Sequence, residues 1–286
     1  MIKFRFWGVR GSVPSGSPDT AKFGGNTTCL EVRCNEELLI FDSGTGIRYL
    51  GNELMKSLPI KGKIFYSHVH WDHIQGLPFF TPLYVPGNEF QIYGGSSMPV
   101  TIEETLKKQM TAPCFPVPMD IMGAKIEFFD VAPGDIVNGE SYQVSFASQN
   151  HPNNSFAFRI DCEDQSIVFA TDTEHYEDKM DENLLKLCQG ADYLIYDSQY
   201  TYDEYHGLNG QMSRKTWGHS TAEEGLKLVK EAGVKNFVLF HHDPTHNDEF
   251  ICRLERNAKE VFPNSIAAYE GLEIEVGKPI PDSLFS

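Results

Sequence analysis

Four side chains that commonly bind metal ions stand together in one short segment. Residues 66–73 read Tyr-Ser-His-Val-His-Trp-Asp-His, so three imidazoles and one carboxylate occupy six positions: His68, His70, Asp72 and His73. Such groups are rarely buried unless they are paired or bound, and together they suit a borderline divalent cation. The apolar residues at 64–65 place the cluster at the end of a predicted strand. A histidine-rich surface loop is the alternative, but this density of ligands favours a metal site.

Three further candidate ligands each follow a predicted apolar strand: His151, Asp172 and His241. Ends of strands at one edge of a sheet are where α/β folds build their sites. Taken alone, a histidine at a strand end is more often an ordinary polar residue. Beside the first cluster, the set has about the number of ligands that two metal ions with one bridging carboxylate require. It divides into His68, His70 and His151 for one ion, Asp72, His73 and His241 for the other, and Asp172 between them.

The elements that must position these residues form two blocks of strands with helices between, which indicates layered α/β packing with two sheets. Strands are predicted at 2–7, 29–33, 38–41, 64–66, 125–129, 142–147, 155–160, 167–170, 193–196 and 237–240, with a final pair at 267–269 and 272–276. Helices are predicted at 101–110, at 184–188 and directly after His219. There, Ser220 to Glu223 predict a capping box, and Gly233 ends the helix. Without a linker or repeat, we expect a single domain over residues 1–286.

The composition is typical of a globular protein, with 286 residues, 41% of them hydrophobic and 22% charged. Six cysteines without a Cys-x-x-Cys pair argue against a zinc ribbon or a disulfide framework, and they predict small buried apolar groups in a reducing compartment. The first residues run directly into a predicted strand, and no apolar stretch approaches membrane-spanning length. We therefore expect a cytoplasmic protein without a membrane partner.

The formal net charge of −16 limits the partners of this chain. A nucleic acid polymer would be repelled over most of such a surface. A small anionic substrate could still be attracted locally by a dinuclear metal centre. The net charge thus disfavours a nucleic acid partner and leaves small molecules open.

Several motifs together resemble one known family. The segment 68–73 has the His-x-His-x-Asp-His pattern of the metallo-β-lactamase fold superfamily, and the likeness is strongest to its phosphodiesterase branch, which contains tRNase Z and the cyclic phosphodiesterases. Supporting stretches occur in the same order along nearly the whole chain: Phe-Trp-Gly-Val-Arg-Gly-Ser-Val-Pro at 6–14, Gly-Asn-Thr-Thr at 25–28, Phe-Asp-Ser-Gly-Thr-Gly at 41–46, Phe-Ala-Thr-Asp-Thr at 169–173, Gly-His-Ser-Thr-Ala at 218–222 and Val-Leu-Phe-His at 238–241.

The resemblance implies a metallo-β-lactamase-like αββα four-layer sandwich, in which two mixed sheets are flanked by helices. It also implies a hydrolase with two divalent ions, for which zinc is expected and manganese or iron are alternatives. The branch with a His-Ser-Thr helix places the last ligand at His241, whereas the lactonase branch points to His242. His242 would then lie behind a ligand or face the substrate. The resemblance further implies that His219 protonates the leaving group and that Asp72 is both a ligand and the group that orients the attacking water.

The chain departs from tRNase Z at one place. That enzyme binds tRNA with a long arm between the ligands that match His151 and Asp172, but only 21 positions separate the two here. A small phosphodiester, such as a cyclic nucleotide or a cyclic sugar phosphate, therefore fits better than tRNA. A tRNase Z-like ribonuclease and a lactonase or thioesterase are the alternative functions, and a homodimer is left open.

Overall fold

The computed structural model describes residues 1–95 and 100–284, and its strands form two seven-stranded mixed sheets. In chain order the strands are β1 (Ile2–Gly8), β2 (Cys29–Cys34), β3 (Glu37–Phe41), β4 (Lys61–Tyr66), β5 (Glu89–Gly95), β6 (Lys125–Val131), β7 (Ile136–Asn138), β8 (Tyr142–Gln149), β9 (Ser155–Cys162), β10 (Gln165–Ala170), β11 (Tyr193–Asp197), β12 (Asn236–Phe240), β13 (Ser265–Ala267) and β14 (Glu273–Glu275). The first sheet has the order β14-β1-β2-β3-β4-β5-β6, and the second has the order β13-β12-β11-β10-β9-β8-β7.

Helices cover the outer face of each sheet. They are α1 (Ile47–Leu54), α2 (Trp71–Ile74), α3 (Ile102–Gln109), α4 (Glu182–Cys188), α5 (Tyr202–His206), α6 (Ala222–Ala232) and α7 (Asp248–Val261). Helices α1 to α3 share a buried cluster with the first sheet, and α4, α6 and α7 share one with the second. The four-layer αββα arrangement expected from the resemblance is thereby confirmed. In the described part of the chain, none of the helices has the length and apolar character needed to cross a bilayer.

Strand β10 shows why the middle of the sandwich reads as continuous apolar sequence. Ile167 and Phe169 point into the core between the sheets, whereas Val168 and Ala170 pack against the helices of the second sheet. Side chains alternate between the two faces of a strand, so a strand covered on both faces needs apolar residues at every position. Its polar residues are consequently found at the ends of the strand.

The two last predicted strands do not pair with each other. Strand β13 lies parallel to β12 in the second sheet, whereas β14 lies antiparallel to β1 in the first. The chain therefore crosses from the second sheet to the first between β13 and β14. This crossing is stabilised because Leu272 and Ile274 are buried in the core that both sheets share. The sequence also did not predict strands β5 and β7 or helices α1, α2, α5 and α7.

The capping box predicted at Ser220 to Glu223 is wrong, because the N-cap of α6 is one residue further along the chain. Thr221 is the N-cap, and its hydroxyl accepts a hydrogen bond from the backbone N–H of Glu224. The hydroxyl of Ser220 is instead bonded to the Tyr196 hydroxyl (3.0 Å) and lies 2.9 Å from Nδ1 of His175. These tertiary contacts occupy Ser220, so the next residue caps the helix. Gly233 ends α6 in the left-handed conformation, as predicted.

The prediction that the cysteines are buried holds for four of the six residues. Cys114 is exposed, and Cys252 is half-buried. Cys114 lies in the proline-containing segment between α3 and β6, where no strand or helix buries it.

Phe158 lies at the centre of the aromatic core between the sheets. It is fully buried, and its ring centroid lies 5.1 Å from that of Phe41 and 5.3 Å from that of Phe146. We expect Phe158→Ala to lower the free energy of unfolding by about 3–5 kcal/mol, because a rigid two-sheet core cannot close around the missing ring. Urea denaturation measures the change, with Phe129→Ala as the control because Phe129 is partly exposed at an edge strand. A loss below about 1 kcal/mol for Phe158→Ala would contradict this packing argument.

Candidate metal centre

The predicted ligands converge at one edge of the two-sheet core, where strands end. Asp172 lies just beyond the end of β10, and His241 directly follows β12. Strand β11 lies between these two strands, parallel to both, and ends at Asp197. In the first sheet, Asp42 follows β3, and the segment that begins with His68 follows the neighbouring parallel strand β4. Because parallel strands present their carboxyl ends at the same edge, residues far apart in sequence meet here.

Three of these strand-end residues have left-handed backbone conformations. The φ angle is 60° at Asp42, 52° at Asp172 and 60° at His241. Such a conformation costs a residue other than glycine roughly 1–2 kcal/mol, and residues that keep it concentrate at functional sites. The packed sheets hold these residues in the left-handed conformation. That conformation turns the chain immediately beyond the end of each strand.

Side chains from these strand ends form four overlapping ligand groups among the described residues. Two of the groups contain His219, one with His151 and Asp172 and one with Asp197 and His241, and the other two contain all the predicted ligands. In each group, the potential ligand atoms all lie within 4.8 Å of one another. The first group is His68, His70 and His151, and the second is Asp72, His73, Asp172 and His241. The structure therefore brings together all seven residues that the sequence singled out as ligands.

The two carboxylate oxygens of Asp172 face different groups. Oδ1 lies 3.7 Å from Nε2 of His68 and 3.9 Å from Nε2 of His151. Oδ2 lies 3.1 Å from Nε2 of His73 and 3.2 Å from Nε2 of His241. Asp172 is thus placed where one carboxylate can contact both groups.

The histidines are oriented by acceptors behind them. Nδ1 of His73 donates to Oδ2 of Asp42 at 2.9 Å, and Nδ1 of His241 donates to Oε1 of Gln199 at 2.8 Å. Nδ1 of a third histidine, His151, donates to the backbone carbonyl of Gly218 at 2.8 Å. A proton held on Nδ1 leaves the Nε2 lone pair directed into the cluster, which is the arrangement that metal-binding histidines adopt.

Three buried nitrogen atoms in the cluster point to a missing partner. Nε2 of His68, of His73 and of His241 are all buried and have no hydrogen-bond partner among residues 1–95 and 100–284. Burial lowers the pKa of His68 well below its usual value, which leaves its imidazole neutral. Neutral imidazoles and ionised carboxylates are the forms that bind metals, so the donor set fits divalent cations.

The carboxylates attract positive charge to the second group. Burial alone would lower the pKa of His73, but Asp172, Asp72 and Asp42 outweigh burial and raise that pKa well above its usual value. A cation between Nε2 of His73 and the oxygens of Asp172 and Asp72 would satisfy the same attraction. The second group therefore also suits a metal ion.

The structure distinguishes between the adjacent histidines His241 and His242. His241 belongs to the second ligand group, whereas Nε2 of His242 donates to the carbonyl of Ala268 at 2.8 Å. Burial and the nearby guanidinium of Arg10 lower the pKa of His242 to about 3. His242 is fully buried, with its ring against that of Phe23, so it neither joins the cluster nor faces a substrate.

His219 lies at the rim of the cluster. Its Nδ1 is 2.8 Å from Oδ2 of Asp197 and 3.9 Å from Oδ1 of Asp172. Burial opposes protonation, but Asp197 and Asp172 outweigh it and raise the pKa of His219 to about 9. The imidazole, which lines the cleft, can therefore carry a proton there. The three histidines without a ligand motif lie outside every ligand group: His175, His206 and His246.

An open cleft of about 480 Å³ lies above the cluster. Its lining includes Ser12, Trp71 and His219, together with Val69, His70, Asp72 and Asp172. The glycine-rich loop at 11–16 contributes directly, because the backbone N–H of Ser12 donates to Oδ2 of Asp72 at 2.7 Å. Gly11 packs so closely that a Cβ there would lie 2.4 Å from the His241 ring. The loop therefore contacts the site through both Ser12 and Gly11.

The residues that orient these histidines were not predicted from the sequence. Asp42, Asp197 and Gln199 hold His73, His219 and His241 by their Nδ1 atoms. The available signal was their position, because Asp42 directly follows a buried strand and Asp197 ends one. Carboxylates at such places are the expected partners of metal-binding or catalytic histidines.

Comparison with known proteins gives consistent relatives. A protein named ribonuclease Z from Methanosarcina acetivorans is 24% identical over 96% of this chain and 98% of its own length. The fold is similar to that of the metallo-β-lactamase fold protein YhfI from Bacillus subtilis, with a TM-score of 0.69, 19% identity, and coverage of 96% of this chain and 98% of that one. It is also similar to a diphosphatase from the PhnP family, with a TM-score of 0.68, 16% identity, and coverage of 98% and 100%.

The sequence model of the β-lactamase superfamily domain matches residues 39–242, which include every candidate ligand. Members of this family bind divalent metals, as the two ligand groups would require. With this match over most of its length, the chain belongs to the metallo-β-lactamase superfamily of hydrolases.

Proposed function

We propose that this protein is a phosphodiesterase that hydrolyses small phosphodiesters, cyclic ones included, with two divalent metal ions. The proposal depends chiefly on the position of Asp172, because its two carboxylate oxygens face the two different ligand groups. Bound divalent ions would supply an activated water and stabilise charge on phosphoryl oxygens. Zinc is the expected ion for a set with five histidines, and manganese or iron are the alternatives because two carboxylates are present.

Asp72 and His219 have distinct roles in this proposal. Asp72 is a ligand of the second group, and the N–H of Ser12 fixes its Oδ2 beside the cleft. From there it orients the attacking water or accepts its proton. His219, held by Asp197, donates a proton to the leaving oxygen. Neither step requires a covalent bond to the enzyme.

Three features support a small substrate. A hairpin of β9 and β10 fills the sequence between His151 and Asp172, which leaves no inserted arm there. The cleft of about 480 Å³ has the size of small-ligand sites. None of the described residues that line it is a lysine or arginine, and the net charge of the chain is −16. A polyanion would gain few contacts on such a surface.

A tRNase Z-like ribonuclease is the second candidate, because curated relatives with 22–24% identity carry the name ribonuclease Z. The alignment with the Methanosarcina protein extends over 328 positions, which exceeds the 286 residues of this chain. Segments of that relative therefore have no counterpart here. Cleavage of a precursor tRNA by the purified protein would favour this candidate.

A substrate panel tests the proposal directly. The metal-loaded protein is assayed on bis(p-nitrophenyl) phosphate, cyclic nucleotides, a cyclic ribose phosphate, a precursor tRNA, lactones and thioesters, and its metals are identified by elemental analysis. We expect turnover of the small phosphodiesters. Turnover of lactones or thioesters alone would replace the proposal with an acyl hydrolase.

The adjacent histidines provide a matched pair of variants for the ligand assignment. We expect His241→Asn to weaken binding of the ion in the second group by more than roughly 100-fold, because losing a direct ligand should cost more than losing a residue that only orients a ligand. His242→Asn should retain the metal, since His242 contacts the carbonyl of Ala268 instead. Competition with a chromophoric chelator measures both affinities. Equal losses in the two variants would contradict the assignment of His241.

A further inference from the structure

Trp71 presents its indole ring at the mouth of the cleft. Its exposed fraction is 83%, the largest among the exposed large apolar side chains of the described residues. Single exposed apolar residues are normal on protein surfaces. Trp71 differs because it lines the cleft and stands in sequence between two candidate ligands, His70 and Asp72.

The indole ring is free to receive another group. Within residues 1–95 and 100–284, it makes no hydrogen bond and no contact with another aromatic ring. Its backbone is nevertheless fixed, because Trp71 begins α2 and its carbonyl accepts a hydrogen bond from the N–H of Gln75 at 2.8 Å. The ring is therefore held near the ligand groups while its surface stays open.

The rest of the cleft offers little else for binding an organic group. Apart from the candidate ligands and His219, its lining consists of Ser12, Val69 and Trp71. A phosphate at the ligand groups would leave the remainder of its ester next to this surface. Apart from the histidines, Trp71 is the one aromatic side chain among the described residues that line it, and none of these residues is a lysine or arginine. Such a surface favours a neutral planar ring over a second anionic group.

We infer that Trp71 is the stacking surface for the planar ring of the substrate, either a nucleobase or an aryl group. This inference rests on the proposed function, and it narrows the substrate class to base-bearing or aryl phosphodiesters in preference to cyclic sugar phosphates. Stacking on an aromatic side chain tolerates any base, because every base presents a flat face.

The test compares two substrates that differ only by the base, a cyclic nucleotide and the corresponding cyclic ribose phosphate. We expect Trp71→Ala to reduce the ratio of their kcat/KM values by roughly 10- to 100-fold, mainly through the KM of the nucleotide. Trp71→Phe should restore most of this ratio. Tyr49→Ala, an exposed aromatic residue on α1 outside the cleft, is the control and should leave the ratio unchanged. An unchanged ratio in Trp71→Ala would overturn the inference.

Two further measurements separate the remaining outcomes. Quenching of tryptophan fluorescence by a nucleotide, present in the wild type and absent in Trp71→Phe, reports stacking without any turnover. If quenching occurs but no phosphodiester is hydrolysed, the proposed function fails while the inference about Trp71 stands. Analytical ultracentrifugation of the wild type and Trp71→Ala gives the oligomeric state. A wild-type dimer that dissociates in the variant would show that a second copy covers the ring, which would overturn the inference.

Discussion

Replacing Asp172 with asparagine is expected to reduce phosphodiester hydrolysis by at least roughly 10³-fold and to release bound metal. The side chain is buried, and its two oxygens face the two ligand groups. Asparagine keeps the size of the side chain but removes the negative charge, and its amide N–H₂ would be directed at the neutral Nε2 atoms or at the metal. Both groups should lose affinity together, because one residue contacts both.

Asp164→Asn is the matched control for this prediction. Asp164 lies in the exposed turn before β10, at the opposite end of the strand that leads to Asp172. The same chemical change there should leave metal content and kcat unaltered. Metal is measured by elemental analysis after dialysis, and activity is measured on bis(p-nitrophenyl) phosphate. If Asp172→Asn kept two ions per chain and more than about a tenth of the activity, Asp172 could not be the bridging ligand.

Replacing His219 with alanine is expected to slow hydrolysis in a way that depends on the leaving group. For a cyclic nucleotide, which releases a basic alkoxide, we expect kcat to fall by roughly 10²- to 10⁴-fold, the usual contribution of a general acid. For bis(p-nitrophenyl) phosphate we expect a loss below about tenfold, because p-nitrophenolate leaves without a proton. The structural basis is the short contact of 2.8 Å between His219 Nδ1 and Asp197, which orients the ring at the rim.

This pattern separates a proton donor from a metal ligand. His219 lies near His151 and Asp172, within the range of a third ligand group. A ligand role would lower the rates for both substrates equally and would also lower the metal content. His206→Ala is the control, because His206 lies on α5 outside every ligand group. Full activity of His219→Ala on all phosphodiesters would exclude the donor role.

Local sequence was sufficient for the ligands of 68–73 and for most of the strands. The spacing of three histidines and an aspartate is visible without any fold, and so are the apolar runs that end in polar residues. Helix α6 shows the limit, since Ser220 and Thr221 are both favoured capping residues and the sequence preference, which slightly favours Ser220, points to the wrong one. Contacts of Ser220 with Tyr196 and His175 decided between them. Helix α7 was missed even though Ile251, Leu254 and Ala258 are buried along one of its faces.

The groups that orient the ligands could not be predicted, because their contacts are distant in sequence. Asp42 is 31 positions from His73, Gln199 is 42 positions from His241, and the Gly218 carbonyl is 67 positions from His151. No periodic pattern encodes such pairs. They arise only when parallel strands bring their carboxyl ends to one edge.

The sequence by itself determined that the chain has a metal-ligand set and an α/β architecture, because residue type and spacing express both directly. The tertiary structure decided which histidine of the pair at 241–242 enters the cluster. It also decided that the two oxygens of Asp172 face different ligand groups and that the ring of Trp71 is exposed. These outcomes depend on the left-handed turns at the strand ends and on the packing of two sheets. Both act across long sequence separations, which spacing alone does not record.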